Sequence, residues 1–241
     1  MIFKSLLFKV RKAKLLSLKL SPEKHVVIDN VAVQQQSSTS FLGVTLQSDL
    51  KWTSHVTKVR SKVAKAVGIL CKASKSFKPY VLLSLYNSLV YPHFTYCIEI
   101  WGAATTTDLN MLFKLQKRAV RIITLSPFLA HTKELFCKLK LLTLKQIYIY
   151  CSLCLMFKIF QKSVPPVVFS RFAMYQNQYN TRRKNCFQLP FTRREYIRKT
   201  FRHSGISLWN YNVKHLHVHE NLFVFKHELR TAILSNVISP L

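Results

Sequence analysis

Acidic residues are scarce in this 241-residue chain: 9 Asp and Glu stand against 37 Lys and Arg, for a formal net charge of +28. The shortage bears first on catalysis. The only aspartates are Asp29, Asp49 and Asp108, and none has an acidic neighbour, so no carboxylate pair is at hand to bind two metal ions. Asp29 reads as a hairpin-turn residue, and Asp49 and Asp108 as helix caps. Glycine is equally rare, with 4 residues, which argues against a Gly-rich phosphate loop and a turn-dense β-barrel. A disulfide framework is lacking too. Of the 6 cysteines, Cys71, Cys97, Cys137, Cys151 and Cys154 lie in apolar, helical-looking segments, where a thiol behaves as a small hydrophobe. That usage suits a reducing compartment, nucleus or cytoplasm. Cys151 and Cys154 form a C-x-x-C, but no second pair or spaced histidine accompanies them, so they read as neighbours on one helix face. His215, His217 and His219 alternate as on one face of a surface strand, with only Glu220 beside them, and no metal is assigned there.

What is present is apolar and basic. Hydrophobic residues make up 49% of the chain, enough for a real core and too many for a disordered tail. So large an excess of positive charge repels itself unless a polyanion neutralises it, and nucleic acid is the commonest such partner. RNA and DNA carry the same backbone charge, so composition does not choose between them, nor does it set an oligomeric state. No small-molecule substrate and no cofactor are expected.

The first twenty residues carry Lys4, Lys9, Arg11, Lys12, Lys14 and Lys19 and no acid. This pattern is shared by mitochondrial transit peptides, so the alternative reading is a basic organellar or membrane-associated protein with an N-terminal targeting helix. Val26 to Val33 reads as a hairpin about Asp29-Asn30, Gln34 to Ser40 as a polar connector, and Phe41 to Leu46 as a third strand in which Gly43 is free to adopt unusual backbone angles. Ser48 or Asp49 is placed to cap the helix that follows. On that helix Trp52, Val56, Val59, Val63, Val67 and Leu70 form one stripe. Lys58, Lys65 and Lys72 lie opposite, with Lys62 beside them.

Pro79 to Ile98 is uncharged, but its Pro92, Asn87 and His93 and its scattered aromatics describe a bundle-core helix bent or broken at Pro92, not a membrane span. A second amphipathic helix begins at Asp108. Leu109, Leu112, Ala119, Val120 and Ile123 share one face, and Lys114, Lys117, Arg118 and Arg121 the other. Leu135 to Phe160 supplies a helical hairpin closed by Pro165-Pro166. Thr181 to Arg202 then interleaves Arg182, Arg183, Arg193 and Arg194 with Phe187, Phe191, Tyr196 and Phe201. Those aromatics either stack on unpaired bases or pack a small subdomain. A last helix, 221–234, places Phe225, Leu229 and Ile233 at four-residue spacing.

The order of certain short motifs resembles a known family. Phe41-Leu42-Gly43-Val44 is followed by Leu50, Trp52, His55 and the Lys-rich helix. Downstream come Leu85 to Pro92, Tyr96-Cys97, Trp101-Gly102 and Leu115 to Ile123, and more weakly Tyr179 to Arg182, Leu208-Trp209-Asn210 and Phe225-Lys226. This series resembles the end of the reverse transcriptase of non-LTR, LINE-like retrotransposons. The resemblance implies that residues 1–48 are the end of the palm, that 49–166 are a helical thumb, and that 167–241 are a basic C-terminal region. The expected fold class is therefore α+β, mainly α, with short N-terminal strands before a helical bundle. Phe41, Leu42, Gly43, Trp52, His55, Trp101 and Trp209 would be structural motif residues, with His55 capping or packing at the helix start. Lys58, Lys62, Lys65, Lys72, Lys114, Lys117, Arg118, Arg121, Arg182, Arg183, Arg193 and Arg194 would contact nucleic acid, gripping the template–primer backbone without reading its sequence. The family's RNA-directed DNA polymerases work with Mg2+ held by paired aspartates. With no such pair here, the chain is expected not to polymerise by itself.

Overall fold

The computed structural model describes residues 26–28, 31–33, 37–49, 51–175, 185–193, 195–215, 221–235 and 237–238. The targeting reading of residues 1–20 therefore lies outside the described residues. Strand β1 (Val26–Ile28) pairs antiparallel with β2 (Val31–Val33), Val26 opposite Val33, as the pattern about Asp29-Asn30 predicts. A second antiparallel hairpin joins β3 (Ser38–Phe41) to β4 (Val44–Gln47). Here the expectation of one strand from Phe41 to Leu46 is corrected. Leu42 (φ 46°) and Gly43 (φ 77°) are the two central residues of a tight turn. Positive φ at both positions gives a turn whose twist matches that of paired strands. The supposed connector thus contributes Ser38 to Ser40 to the ladder. Apolar residues on both sides of the turn hide the reversal from a pattern reading.

Helix α1 (Thr53–Ala73, 21 residues) starts later than the capping signals suggest. Its N-cap position is Trp52, which makes no side-chain cap bond. Asp49 instead accepts the Lys51 N–H at 3.0 Å and lies 3.8 Å from the Lys51 ammonium. One of the helix's unpaired N–H groups is met from β4, where Gln47 Oε1 accepts from the Ser54 N–H at 3.0 Å. The apolar stripe is as read: Val56, Val59, Val63, Val67 and Leu70 are buried, Trp52 is half-buried, and His55 and Ala66 join them.

The uncharged stretch divides into α2 (Pro79–Leu89), α3 (Tyr91–Thr95) and α4 (Ile98–Trp101). Pro92 has no N–H to continue the ladder of α2, and Cys97 at φ 52° turns the chain again. Leu82, Tyr86, Val90, Phe94, Ile98 and Trp101 are all fully buried, a row that crosses both breaks. Among the described residues no helix is long and apolar enough to cross a membrane.

Helix α5 (Thr106–Ile123) is capped by Thr105, whose hydroxyl accepts the Asp108 N–H at 3.2 Å. Asp108 is thus the third helical residue, not the cap; Thr105 and Asp108 answer each other as Thr-x-x-acid capping pairs do. Leu112, Ala119, Val120 and Ile123 are buried and Leu109 is half-buried. Helices α6 (Thr132–Lys138) and α7 (Leu144–Phe160) follow, the latter begun by a Thr143/Gln146 capping box, and α8 (Pro166–Phe169) opens with Pro166.

After α9 (Glu195–Arg198), α10 (Phe201–Asn212) and α11 (Leu222–Leu234) both pack on α7. Phe157 stacks on Phe225 at 4.1 Å, and Trp209 sits between Phe160 and Phe187 at 5.6 and 6.2 Å. The helical core is one cluster running from Val56 to Ile238. Each large apolar side chain buried in it contributes about 1.5–3 kcal/mol. Among the predicted core residues of the last helix, Phe225, Leu229 and Ile233 are all buried.

Candidate nucleic-acid interface

Helices α1 and α5 pack side by side and start together: Thr53 Oγ1 donates to Asp108 Oδ2 at 3.0 Å. Their apolar stripes enter the same core. Between their outer flanks runs an open groove of about 760 Å³, with Thr57, Ser61 and Ala64 along its α1 wall. Five cationic side chains line it: Arg60 from α1 and Lys114, Lys117, Arg118 and Arg121 from α5. Among the described residues no acid lines it. The ion pairs Lys51–Asp49 and Lys199–Glu195 involve none of its cations, so the charge of the groove is uncompensated.

The cations are held to different degrees. Arg121 Nε donates to the Ala130 carbonyl at 2.9 Å, which anchors the loop after α5. Lys117 Nζ lies 4.5 Å from the centre of the Phe113 ring, a cation–π contact. Arg60 reaches Met111 Sδ at 3.0 Å across the groove. Lys114 and Arg118 are exposed. Lys65 and Lys72 are exposed on the outer ridge of α1. Lys58 Nζ is tied to Thr45 Oγ1 at 2.9 Å, and Lys62 lies at the edge of the helix away from the groove.

The motif residues of the hairpin and the helix starts converge. Tyr96 donates its hydroxyl to the Leu42 carbonyl at 2.7 Å. A Cβ at Gly43 would stand 3.6 Å from the Tyr96 ring. The Thr45 N–H donates to His55 Nδ1 at 3.3 Å, and the His55 ring packs against Trp101 at 5.7 Å. Trp101 Nε1–H in turn donates to the Tyr96 carbonyl at 2.9 Å. His55 thus packs at the helix start and fastens β4 to it. Phe41 and Leu42 themselves remain exposed. Trp209, fully buried, donates to the Asn185 carbonyl at 2.9 Å.

In the C-terminal basic tract, Arg182, Arg183 and Arg194 lie outside the described residues, and Arg193 is exposed. Phe187 is fully buried against Phe172 and Trp209, Phe201 is half-buried, and Phe191 is 87% exposed. His215 ends a 3-10 turn (Val213–His215), and the rest of the alternating run, with His217 and His219, lies outside the described residues.

The two aspartates among the described residues are both engaged in structural contacts. Asp108 is buried, its Oδ2 taken by the hydroxyls of Thr53 and Thr105, and Asp49 is bound to Lys51. No group of three or more His, Cys, Asp or Glu that could hold a metal occurs among the described residues. Burial pushes the Cys151 thiol up to about 12 and the Cys154 thiol up to about 11, so both stay neutral.

Arg60 and Gln116 escape a sequence reading. Arg60 is signalled by the small residues Thr57, Ser61 and Ala64, which open a groove on its flank of α1. Gln116 is fully buried. It donates to the Tyr86 hydroxyl and the Leu142 carbonyl, and accepts the Leu144 N–H, at 2.9–3.0 Å. Nothing in its local pattern distinguishes it from an exposed glutamine.

No family model matches the chain, and no solved structure matches it. Curated relatives do. It is 31% identical over 122 residues, 49% of this chain and 13% of the relative, to the probable RNA-directed DNA polymerase from transposon X-element of Drosophila melanogaster. It is 27% identical over 119 residues (48% and 13%) to the RNA-directed DNA polymerase from mobile element jockey of Drosophila funebris. Over 124 residues (50% and 14%) it is 26% identical to the probable RNA-directed DNA polymerase from transposon BS of Drosophila melanogaster. The match spans about an eighth of the length of these relatives. About half of this chain is therefore a region related to the reverse transcriptases of non-LTR, LINE-like retrotransposons.

Proposed function

We propose that this chain grips the sugar–phosphate backbone of a nucleic-acid duplex along the α1/α5 groove, reading charge and not sequence. The observation that carries the reading is the groove itself, with five cations, no acid and a shared core behind it that holds both helices in register. Phosphate contacts of this kind position a duplex and carry no base information. Lys58, Lys65 and Lys72 on the adjoining ridge and Lys62 beyond it extend the same electrostatic surface, and Arg182, Arg183, Arg193 and Arg194 of the C-terminal tract are proposed as further phosphate contacts. The helical part of the chain acts as a thumb. It takes no metal or cofactor of its own and does not polymerise alone. The curated relatives are named as RNA-directed DNA polymerases, which supports a nucleic-acid partner; none is named as an organellar or membrane protein.

The test is fluorescence anisotropy on labelled duplexes of unrelated sequence over a range of salt. If about six phosphates are neutralised, log K falls against log[salt] with a slope of roughly −5. Lys114→Glu with Arg118→Glu weakens binding equally for every sequence and lowers the slope by about one per lost contact. The fold survives, because exposed helix charges contribute little to stability. Reversal of Lys9, Arg11 and Lys12 is the control. A flat salt dependence, or a larger loss in the control than in the groove variant, overturns the reading.

A further inference from the structure

The corner where α1 passes into α2 is basic and aromatic, and the fold leaves it open. Helices α1 and α5 are pinned together at Thr53 and Asp108 and run side by side, so both finish at one end of the bundle. At that end Phe77 is 51% exposed, Tyr80 72% and Phe128 76%. Phe128 follows α5 and lines the groove, whereas Phe77 and Tyr80 belong to the corner. The backbone there is fixed. The Phe77 N–H donates to the Ala73 carbonyl at 2.9 Å, the Leu82 N–H donates to the Lys78 carbonyl at 3.2 Å, and Pro79 opens α2. Lys72, Lys75 and Lys78 are exposed in the same stretch. No Asp or Glu occurs between Asp49 and Glu99 in the sequence, so nothing within this stretch neutralises them. Two open rings within four residues, flanked by lysines, mark an interaction surface.

We propose that this corner is a stacking platform for an unpaired polynucleotide strand, with bases on Phe77 and Tyr80 and phosphates on Lys72, Lys75 and Lys78. Every base presents a π-face and every phosphate a negative charge, and rings set among cations answer both. A second copy of the chain, at net charge +28, is repelled from a lysine-rich corner. Lys72 also ends the α1 ridge, which carries Lys58 and Lys65 at intervals of about 10 Å. A strand that leaves a duplex in the groove passes Phe128 and reaches the corner. That continuity rests on the function proposed above; the affinity of the corner for an unpaired strand does not.

The experiment uses the full chain and three probes: a single-stranded oligonucleotide carrying 2-aminopurine, a blunt duplex, and that duplex with a single-stranded extension. Binding quenches the 2-aminopurine of the single strand, and the extended duplex binds more tightly than the blunt one. Phe77→Ala with Tyr80→Ala removes the quenching, weakens single-strand binding about tenfold, and leaves the blunt duplex unchanged. Tyr80→Phe keeps the ring and keeps the quenching. Lys75→Gln with Lys78→Gln lowers the single-strand salt slope by about 0.7 per lost contact. All four positions are exposed, so the variants fold; should the double ring variant not, Tyr80→Ala alone carries the test. The groove variant Lys114→Glu/Arg118→Glu loses duplex affinity and keeps the single-strand quenching, which separates failure of the corner from failure of the groove. An extended duplex that keeps its advantage without the two rings overturns the link to the groove. Quenching that survives the loss of both rings overturns the platform. So does a ring variant that loses binding to anionic phospholipid vesicles but not to the single strand, which assigns the corner to a lipid surface.

Discussion

Thr53 and Asp108, 55 residues apart, share a hydrogen bond of 3.0 Å that pins the first turns of α1 and α5 to each other. Thr105 donates to the same carboxylate oxygen at 2.8 Å. One buried acid thus closes its own helix and registers two helices, and the basic groove opens between them.

Removing that acid loosens both. Asp108→Ala is expected to destabilise the fold by about 1–3 kcal/mol, through loss of the cap partner and two hydroxyl contacts. Urea denaturation of Asp108→Ala, Thr53→Ala and the double variant gives the coupling directly. Strictly additive losses would mean that the bond does not register the helices.

Gln116 joins three elements by hydrogen bonds to Tyr86, Leu142 and Leu144. Gln116→Leu leaves a buried N–H and carbonyl without partners, and the expected loss is about 2–4 kcal/mol despite the more apolar side chain. Equal or greater stability in a denaturant titration would refute it.

The β3–β4 turn places Leu42 at φ 46°, a conformation that suits Asn better than a branched apolar residue. Leu42 is 73% exposed and gives only its carbonyl to Tyr96. Leu42→Asn creates the preferred Asn-Gly pair and is expected to stabilise by about 0.5–1 kcal/mol. A lowered melting temperature would count against the turn.

Stability should fall on acidification. His55 and His93 are both held below the ordinary histidine value of 6.5, chiefly by burial, so in the window below that value the unfolded chain binds protons that the folded chain does not. Their contribution is whole above 6.5 and is lost as pH falls toward their folded values. Thermal melts from about pH 8 to pH 5 should show the decline beginning near the ordinary histidine range, and His55→Asn should flatten it. A wild-type curve without that decline would show that neither ring is held neutral by the fold.

No nucleotide incorporation is expected from the purified chain with any primer and divalent metal, because no aspartate has an acidic neighbour in the sequence with which to hold two ions. Metal-dependent incorporation that persists with Asn at positions 29, 49 and 108 would overturn this assignment.

Much of the architecture is legible from spacing. The valines of α1 and the Phe225, Leu229, Ile233 row of α11 are buried because a helix turns one face inward every 3.6 residues. The helix starts are not legible from single residues. Asp49 has the side chain of a cap, yet it is Gln47 on β4 that accepts from the first turn of the helix, a choice made by where the hairpin docks. The hairpin reversal at Leu42-Gly43 was likewise masked, since apolar residues on both arms look like one strand.

Charge, hydrophobic content and the scarcity of acids are properties of composition, so the sequence by itself determined a basic, core-forming chain. Which cations share a surface is decided by helix packing. Arg60 joins Lys114 and Arg118 only because α1 and α5 lie side by side, while Lys62, two residues from Arg60, turns to the other flank. A step of 100° per residue separates neighbours in sequence, and tertiary packing alone brings residues fifty positions apart to one groove.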